Sequence, residues 1–123
     1  MRLIESYIHG KRLGRIAKIG VLVDIELDSD DESKQKDLET LAYNLAMHIA
    51  ATKPDCIDNA EIGNVVSIVS DTTAPTRNPD DLYSQQYIKN PEVTVREHIQ
   101  ECEIRLGAPI QLIRFERYDV SDT

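Results

Sequence analysis

The sequence is poor in the residues that mark secreted, metal-binding or membrane-spanning chains. It has no tryptophan, one phenylalanine and two cysteines, and its longest apolar runs are far shorter than a bilayer span. Cys56 and Cys102 have neither CxxC nor Cys/His ligand spacing, which predicts reduced structural thiols. No early stretch has the residue order of a signal peptide. We therefore expect a protein of the bacterial cytoplasm or of an organelle matrix, with no membrane contact.

The motifs of common catalytic mechanisms are also missing. There is no glycine-rich phosphate loop, no GxSxG nucleophile elbow and no HExxH zinc helix. The acidic run at residues 28–32 lacks the glycine and distal glutamate of an EF-hand. We interpret this run first as solvation at the start of a helix, where it suits the helix dipole, and second as a cation site. We accordingly predict no enzymatic chemistry, no cofactor and no metal.

Positive charge is scarce. The chain has 14 Lys and Arg against 22 Asp and Glu, a net charge of −8, which disfavours direct binding to the phosphates of nucleic acids. A basic or mixed protein surface is a better partner. The basic residues that cluster do so near one predicted hairpin, namely Lys11, Arg12, Arg15 and Lys18. They either steer an acidic partner or protect a strand edge from pairing.

What is present is the periodicity of one small domain, residues 1–123. Residues 2–9 and 16–27 alternate as strands, and the glycine-containing turn between them predicts an antiparallel hairpin. Residues 36–53 have a helical apolar face, and Pro54 ends it. Thr94 and Glu97 form a capping-box pattern before a second helix, which ends at Gly107. Residues 109–118 then read as a final strand.

These elements predict an α+β fold with β-β-α-loop-α-β order. A small antiparallel sheet of about three strands has two main helices packed on one face. Residues 55–81 have weak periodicity and are expected to be an irregular insert or loop, although residues 64–70 could form one short strand.

The three histidines have different surroundings. His48 lies near the buried face of the long helix and is interpreted as a packing residue. His98 is placed on the polar flank of the second helix, in solvent. His9 ends a strand beside a glycine turn, where exposed polar residues often serve binding, although spacing alone favours a plain turn histidine.

Five blocks, taken in order, resemble bacterial and organellar elongation factor Ts: "SYIHG", "IGVLVDI", "LAYNLAMHIAATKP", "QQYIKNPEVTV" and "IQLIRFERY". The resemblance implies a factor that binds elongation factor Tu and promotes exchange of GDP for GTP. It also implies a partner-contact role for Tyr7, His9 and Gly10 of the Tyr-x-His-Gly element. With their neighbours Ser6, Lys11 and Arg12, these residues form the predicted partner-binding site.

Departures from the family temper this expectation. From the sequence, we expect no counterpart of the family's amino-terminal helical module before Met1. Asp30 and Asp31 stand where the family has the Asp and Phe of a Thr-Asp-Phe-Val wedge, and an anion enters an apolar slot only at a desolvation penalty of several kcal/mol. The helical hairpin that projects from the family's core is missing or replaced by residues 55–81. We expect weak exchange by the chain alone. The alternative is an interaction module that keeps the fold and uses its sheet face for a new partner or for a homodimer.

Overall fold

A computed structural model describes residues 1–10, 18–58 and 81–120. The chain divides into two compact units, Met1–Lys53 with Ile99–Thr123, and Pro54–His98. In chain order the described elements are β1 (Arg2–His9), β2 (Ile19–Leu27), α1 (Gln35–Thr52), β3 (Gln86–Tyr87), β4 (Asn90–Thr94), α2 (Val95–Leu106) and β5 (Ile110–Asp119). The predicted α+β class, element order, sheet and two main helices are confirmed, and two short strands precede α2.

The sheet of the first unit is antiparallel, with strand order β1-β2-β5. The central strand β2 is the most apolar of the three, and its alternation places one complete set of side chains in the core. Four residues of the predicted face are buried, namely Val21, Val23, Ile25 and Leu27. The first residue of the strand, Ile19, is half-buried. The helix α1 packs against β1 and β2.

A β-bulge reverses the alternation of β5 at Ile113. Ile110 and Leu112 pair with Leu27 and Ile25 and are buried. The register then shifts, so that Arg114 pairs with Asp24 on the opposite face of the sheet. One extra residue in a strand moves every later side chain to the other face, and this is why the arginine of "QLIRF" leaves the core.

The boundaries of α1 follow from local hydrogen bonds. The Asp31 carboxylate accepts from the backbone N–H of Ser33 at 3.0 Å and from its hydroxyl at 2.6 Å, which caps a 3-10 turn at Glu32–Lys34. These bonds also lower the pKa of Asp31. At the other end Lys53 takes a left-handed conformation with φ of 53° and donates its N–H to Ile49. The apolar face predicted for this helix is buried: Leu38, Leu41, Ala42, Leu45, Ala46 and Ile49.

The predicted start and end of α2 are both confirmed. Thr94 Oγ1 accepts from the N–H of Glu97 at 3.1 Å, and the Glu97 carboxylate accepts from the N–H of Thr94 at 2.9 Å. Gly107 has a φ of +72° and donates its N–H to Glu103. The apolar stripe Val95, Ile99, Cys102 and Leu106 is buried as expected.

Two of the histidines can be placed against their predictions here. His48 is fully buried on the core side of α1, as predicted. His98 is not simply solvated: it is half-buried, and its ring stacks on Tyr87 with centroids 4.2 Å apart. An aromatic neighbour from β3 therefore shields a side chain that helical periodicity alone placed in water. The strand considered for residues 64–70 lies outside the described residues.

Candidate protein-binding site

The carboxyl end of β1 brings two predicted site residues together. Because strand side chains alternate, Tyr7 and His9 lie on the same face of the sheet, the one on which α1 packs. The Tyr7 hydroxyl and His9 Nδ1 are 2.8 Å apart, a hydrogen bond, and the two rings are tilted with centroids 5.9 Å apart. Tyr43 of α1 contacts the Tyr7 ring edge-on at 5.6 Å. His9 itself is exposed.

Gly10 follows the end of β1 and has a backbone conformation that favours glycine. Its φ of +76° lies in the left-handed region, and a Cβ there would lie 3.2 Å from the Lys18 Cβ. The N–H of Lys18 donates to the carbonyl oxygen of His9 at 3.0 Å, which extends the pairing of β1 with β2 past the end of the strand. The predicted site residues Lys11 and Arg12 lie outside the described residues.

The remaining predicted site residue, Ser6, lies on the opposite face. It pairs with Leu22 of β2, so its side chain is separated from the Tyr7 and His9 rings by the sheet. Tyr43 was missed by sequence reasoning, although it stands beside Ala42 of the buried stripe. An aromatic residue flanking such a stripe is the only signal that marked it.

The open face of the sheet carries a buried carboxylate shared by two arginines. Arg2 donates to Asp24 through Nε and Nη2, both at 2.9 Å, and Arg114 Nε donates at 3.1 Å. The Asp24 side chain is 4% exposed. These hydrogen bonds, that of Arg2 above all, lower the pKa of Asp24 to about 2 although burial opposes them. Sequence reasoning missed this pairing because the bulge in β5 brings Arg114 to it.

Apolar side chains surround this ionic group and are accessible. They come from all three strands of the sheet: Ile4, Ile8, Leu22 and Tyr118, with exposed fractions of 58%, 47%, 46% and 70%. Register places Ile4 beside Asp24, and both Ile8 and Tyr118 beside Gly20. We call these four residues the open-face patch. Aliphatic and aromatic groups around a satisfied ionic cluster suit contact with another protein.

The groups available for other chemistry are few in the described part of the chain. Both cysteines are thiols and are not joined in a disulfide, and burial raises the pKa of Cys102. Over residues 1–10, 18–58 and 81–120, no group of three or more His, Cys, Asp and Glu side chains is placed to hold a metal ion. None of the described helices is both long and apolar enough to cross a membrane.

Fold and site together describe an α+β protein in which the end of β1 and the open sheet face present aromatic and apolar side chains. The sequence model of the family "Elongation factor TS" matches residues 1–73. Over 98% of its length the chain is 31% identical to elongation factor Ts of Desulfosudis oleivorans, covering 70% of that protein. It is 29% identical to the factor of Heliobacterium modesticaldum and 28% to that of Rickettsia felis. The chain belongs to the elongation factor Ts family.

The chain is shorter than these relatives. It covers 64% of the Heliobacterium protein and 45% of the Rickettsia protein. The aligned regions run to 142 or 143 positions, whereas the whole chain has 123 residues. The relatives therefore carry segments, within the aligned region, that have no counterpart here.

Proposed function

We propose that this protein binds elongation factor Tu and promotes exchange of its GDP for GTP, weakly when acting alone. Family membership supports the partner and the reaction. We assign the contact to particular residues because Tyr7, His9 and Gly10, at the end of β1, retain the family's Tyr-x-His-Gly element. Such a factor changes the nucleotide affinity of a GTPase by protein contacts and has no bond-breaking chemistry of its own.

We expect weak exchange because of the charge and the hydrogen bonds of Asp31. Its carboxylate is exposed and accepts two hydrogen bonds from Ser33, so it serves the start of α1. Moving this anion into an apolar slot on a partner would break those bonds and cost several kcal/mol of desolvation. An aromatic wedge in its place would carry no such penalty. The contribution of this segment to loosening GDP is therefore lost.

The contact surface we propose extends past the end of β1. Lys11 and Arg12 follow Gly10 in the sequence and would add positive charge, which suits an acidic region of the GTPase. Ser6 takes part only if the partner also reaches the open face. The whole of residues 1–123 would act as one core domain, with residues 55–81 as its insert, in the bacterial cytoplasm or an organelle matrix.

The test measures release of a fluorescent GDP analogue from elongation factor Tu with and without the chain. We expect slow but measurable acceleration, well below that of a complete elongation factor Ts. His9→Ala should weaken the complex by about 1–2 kcal/mol, roughly five- to thirtyfold in Kd. The matched control Gln100→Ala, an exposed position on α2, should leave binding unchanged.

Two results would contradict the proposal. Acceleration as large as that of a complete factor would refute the weak-exchange part. Loss of thermal stability in His9→Ala with unaltered binding would make His9 a packing residue. We expect instead that the unfolding free energy of His9→Ala differs from that of the parent chain by no more than about 0.5 kcal/mol.

A second candidate function rests on the open-face patch. Four accessible apolar side chains over a three-stranded sheet would be covered if two copies paired face to face, and a domain this small gains stability by association. Sedimentation at micromolar concentration should then show a dimer that Leu22→Glu converts to a monomer. A monomeric parent chain would reject this candidate, and absence of any complex with elongation factor Tu would reject the first.

A further inference from the structure

We propose that Tyr7 is a positioning residue for His9 and that it makes His9 a hydrogen-bond donor toward the partner. The Tyr7 hydroxyl donates to Nδ1 of His9 and so selects the tautomer that carries its hydrogen on Nε2. This N–H is then directed at an acceptor on elongation factor Tu, a main-chain carbonyl or a carboxylate. The inference rests on the proposed function for its partner, whereas the positioning of His9 is a property of the free chain.

The chemistry of the two groups decides the direction of the hydrogen bond. A neutral imidazole has one nitrogen that donates and one that accepts. A phenol, with a pKa near 10, is a good donor, and the unprotonated imidazole nitrogen is a strong acceptor. The 2.8 Å separation of the Tyr7 hydroxyl from Nδ1 lies within the range of a hydrogen bond. If Nδ1 accepts, the hydrogen of the neutral ring must lie on Nε2.

Tyr7 can hold an exposed neighbour because its own ring is held. It is half-buried, its strand position pairs with Val21 in the core strand, and Tyr43 packs against it edge-on. Such an aromatic contact adds to the stability of one ring orientation. An exposed His9 would otherwise sample several rotamers and both neutral tautomers. Holding one of them before binding lowers the ordering cost of forming the complex.

The other ring nitrogen of the exposed His9, Nε2, is the atom that we assign to the partner. Nε2 lies across the ring from Nδ1, and in the described part of the chain the Tyr7 contact is the only hydrogen bond of this side chain. The site therefore presents a single, oriented N–H. This N–H would favour a partner that places a hydrogen-bond acceptor opposite it. A partner that places a donor or a cation there would form no hydrogen bond with it.

The first experiment reads the tautomer in the free chain. Histidine labelled with 15N is observed by long-range 1H–15N correlation under mildly alkaline conditions, and His9 is assigned by its loss in His9→Ala. We expect hydrogen on Nε2 alone in the parent chain and a mixture of tautomers in Tyr7→Phe. Tyr118→Phe, an exposed tyrosine on the other face, is the matched control and should change nothing. Hydrogen on Nδ1 in the parent, or the same pattern in Tyr7→Phe, would overturn the positioning.

The second experiment reads binding to elongation factor Tu loaded with GDP. Tyr7→Phe should raise Kd about two- to twelvefold, the range for one lost hydrogen bond, without moving the thermal midpoint. In a double-mutant cycle, Tyr7→Phe should add nothing once His9 is Ala, because Tyr7 acts through His9. Additive effects would mean that Tyr7 contacts the partner by itself and would overturn this part.

Conservative variants of His9 separate the two ring nitrogens. The amide of Gln reaches the position of Nε2, so His9→Gln should keep part of the affinity, whereas the shorter His9→Asn places its amide near Nδ1 and should bind like His9→Ala. Equal affinity of the Gln and Asn variants would oppose an Nε2 donor. If even the parent chain forms no complex, the proposed function fails, and the tautomer measurement still decides the positioning.

Discussion

The clearest stability prediction concerns Arg117, which joins the last strand to the end of the long helix. Its Nε donates to the carbonyl oxygen of Ile49 at 3.2 Å, and its Nη2 donates to that of Ala50 at 3.0 Å. Asp119 lies 3.3 Å from the same guanidinium, whose side chain is only 11% exposed. A cation thus occupies the negative end of the α1 dipole, where terminal carbonyls need donors.

Replacing Arg117 by Met keeps most of the apolar stem and removes the charged fork. A hydrogen bond to a charged group contributes about 1.5–3 kcal/mol net, and a partly buried cation at a helix end contributes up to about 2 kcal/mol. These two contributions overlap, so we expect Arg117→Met to lower the free energy of unfolding by about 2–4 kcal/mol. For a domain of this size, that corresponds to a fall of roughly 8–15 °C in Tm.

Urea unfolding followed by far-ultraviolet circular dichroism measures this loss. Arg105→Met is the matched control, because Arg105 is exposed and its Nη2 donates to a weak acceptor, Cys102 Sγ, at 3.6 Å. It should cost no more than about 1 kcal/mol. A loss below about 0.5 kcal/mol for Arg117→Met, or equal losses for the two variants, would refute the role given to this side chain.

Two further predictions concern acid stability and the left-handed residue after α1. Because the folded-state pKa of Asp24 is lowered to about 2, its stabilisation is complete above its ordinary pKa of about 3.9 and disappears as the pH falls toward 2. Urea midpoints across that range should therefore fall less steeply in Asp24→Asn than in the parent, and parallel curves would argue against this coupling. Lys53→Gly should raise the free energy of unfolding by up to about 1 kcal/mol, because glycine adopts a φ of 53° without steric cost. A destabilised variant in the same urea assay would show that the Lys53 side chain outweighs its backbone strain.

Sequence reasoning found the long elements because their signals are repeated. The central strand β2 and the helix α1 each bury one face over many residues, and no other periodicity explains them. The short β3 and β4 pair was missed, since strands of two and five residues offer almost no period to detect. The bulge at Ile113 escaped for a related reason: one extra residue depends on pairing with β2 and leaves no local mark.

In the site too, contacts within one strand could be predicted from the sequence, and contacts between distant elements could not. Tyr7 and His9 stand two positions apart in a strand, so their shared face could be predicted from alternation, and Gly10 from the turn. Tyr43 and the pairing of Asp24 with Arg114 depend on which elements pack or pair in space. Those contacts join residues 36 and 90 positions apart in the chain, beyond the reach of any local pattern.

The end of α1 has a consequence for the order in which this unit can form. Lys53 donates its N–H to the carbonyl oxygen of Ile49, and Arg117 of β5 donates to the carbonyl oxygens of Ile49 and Ala50. The two bonds from Arg117 join residues 68 and 67 positions apart in the chain. The last turn of the helix therefore gains these two donors only after the final strand has been added to the sheet.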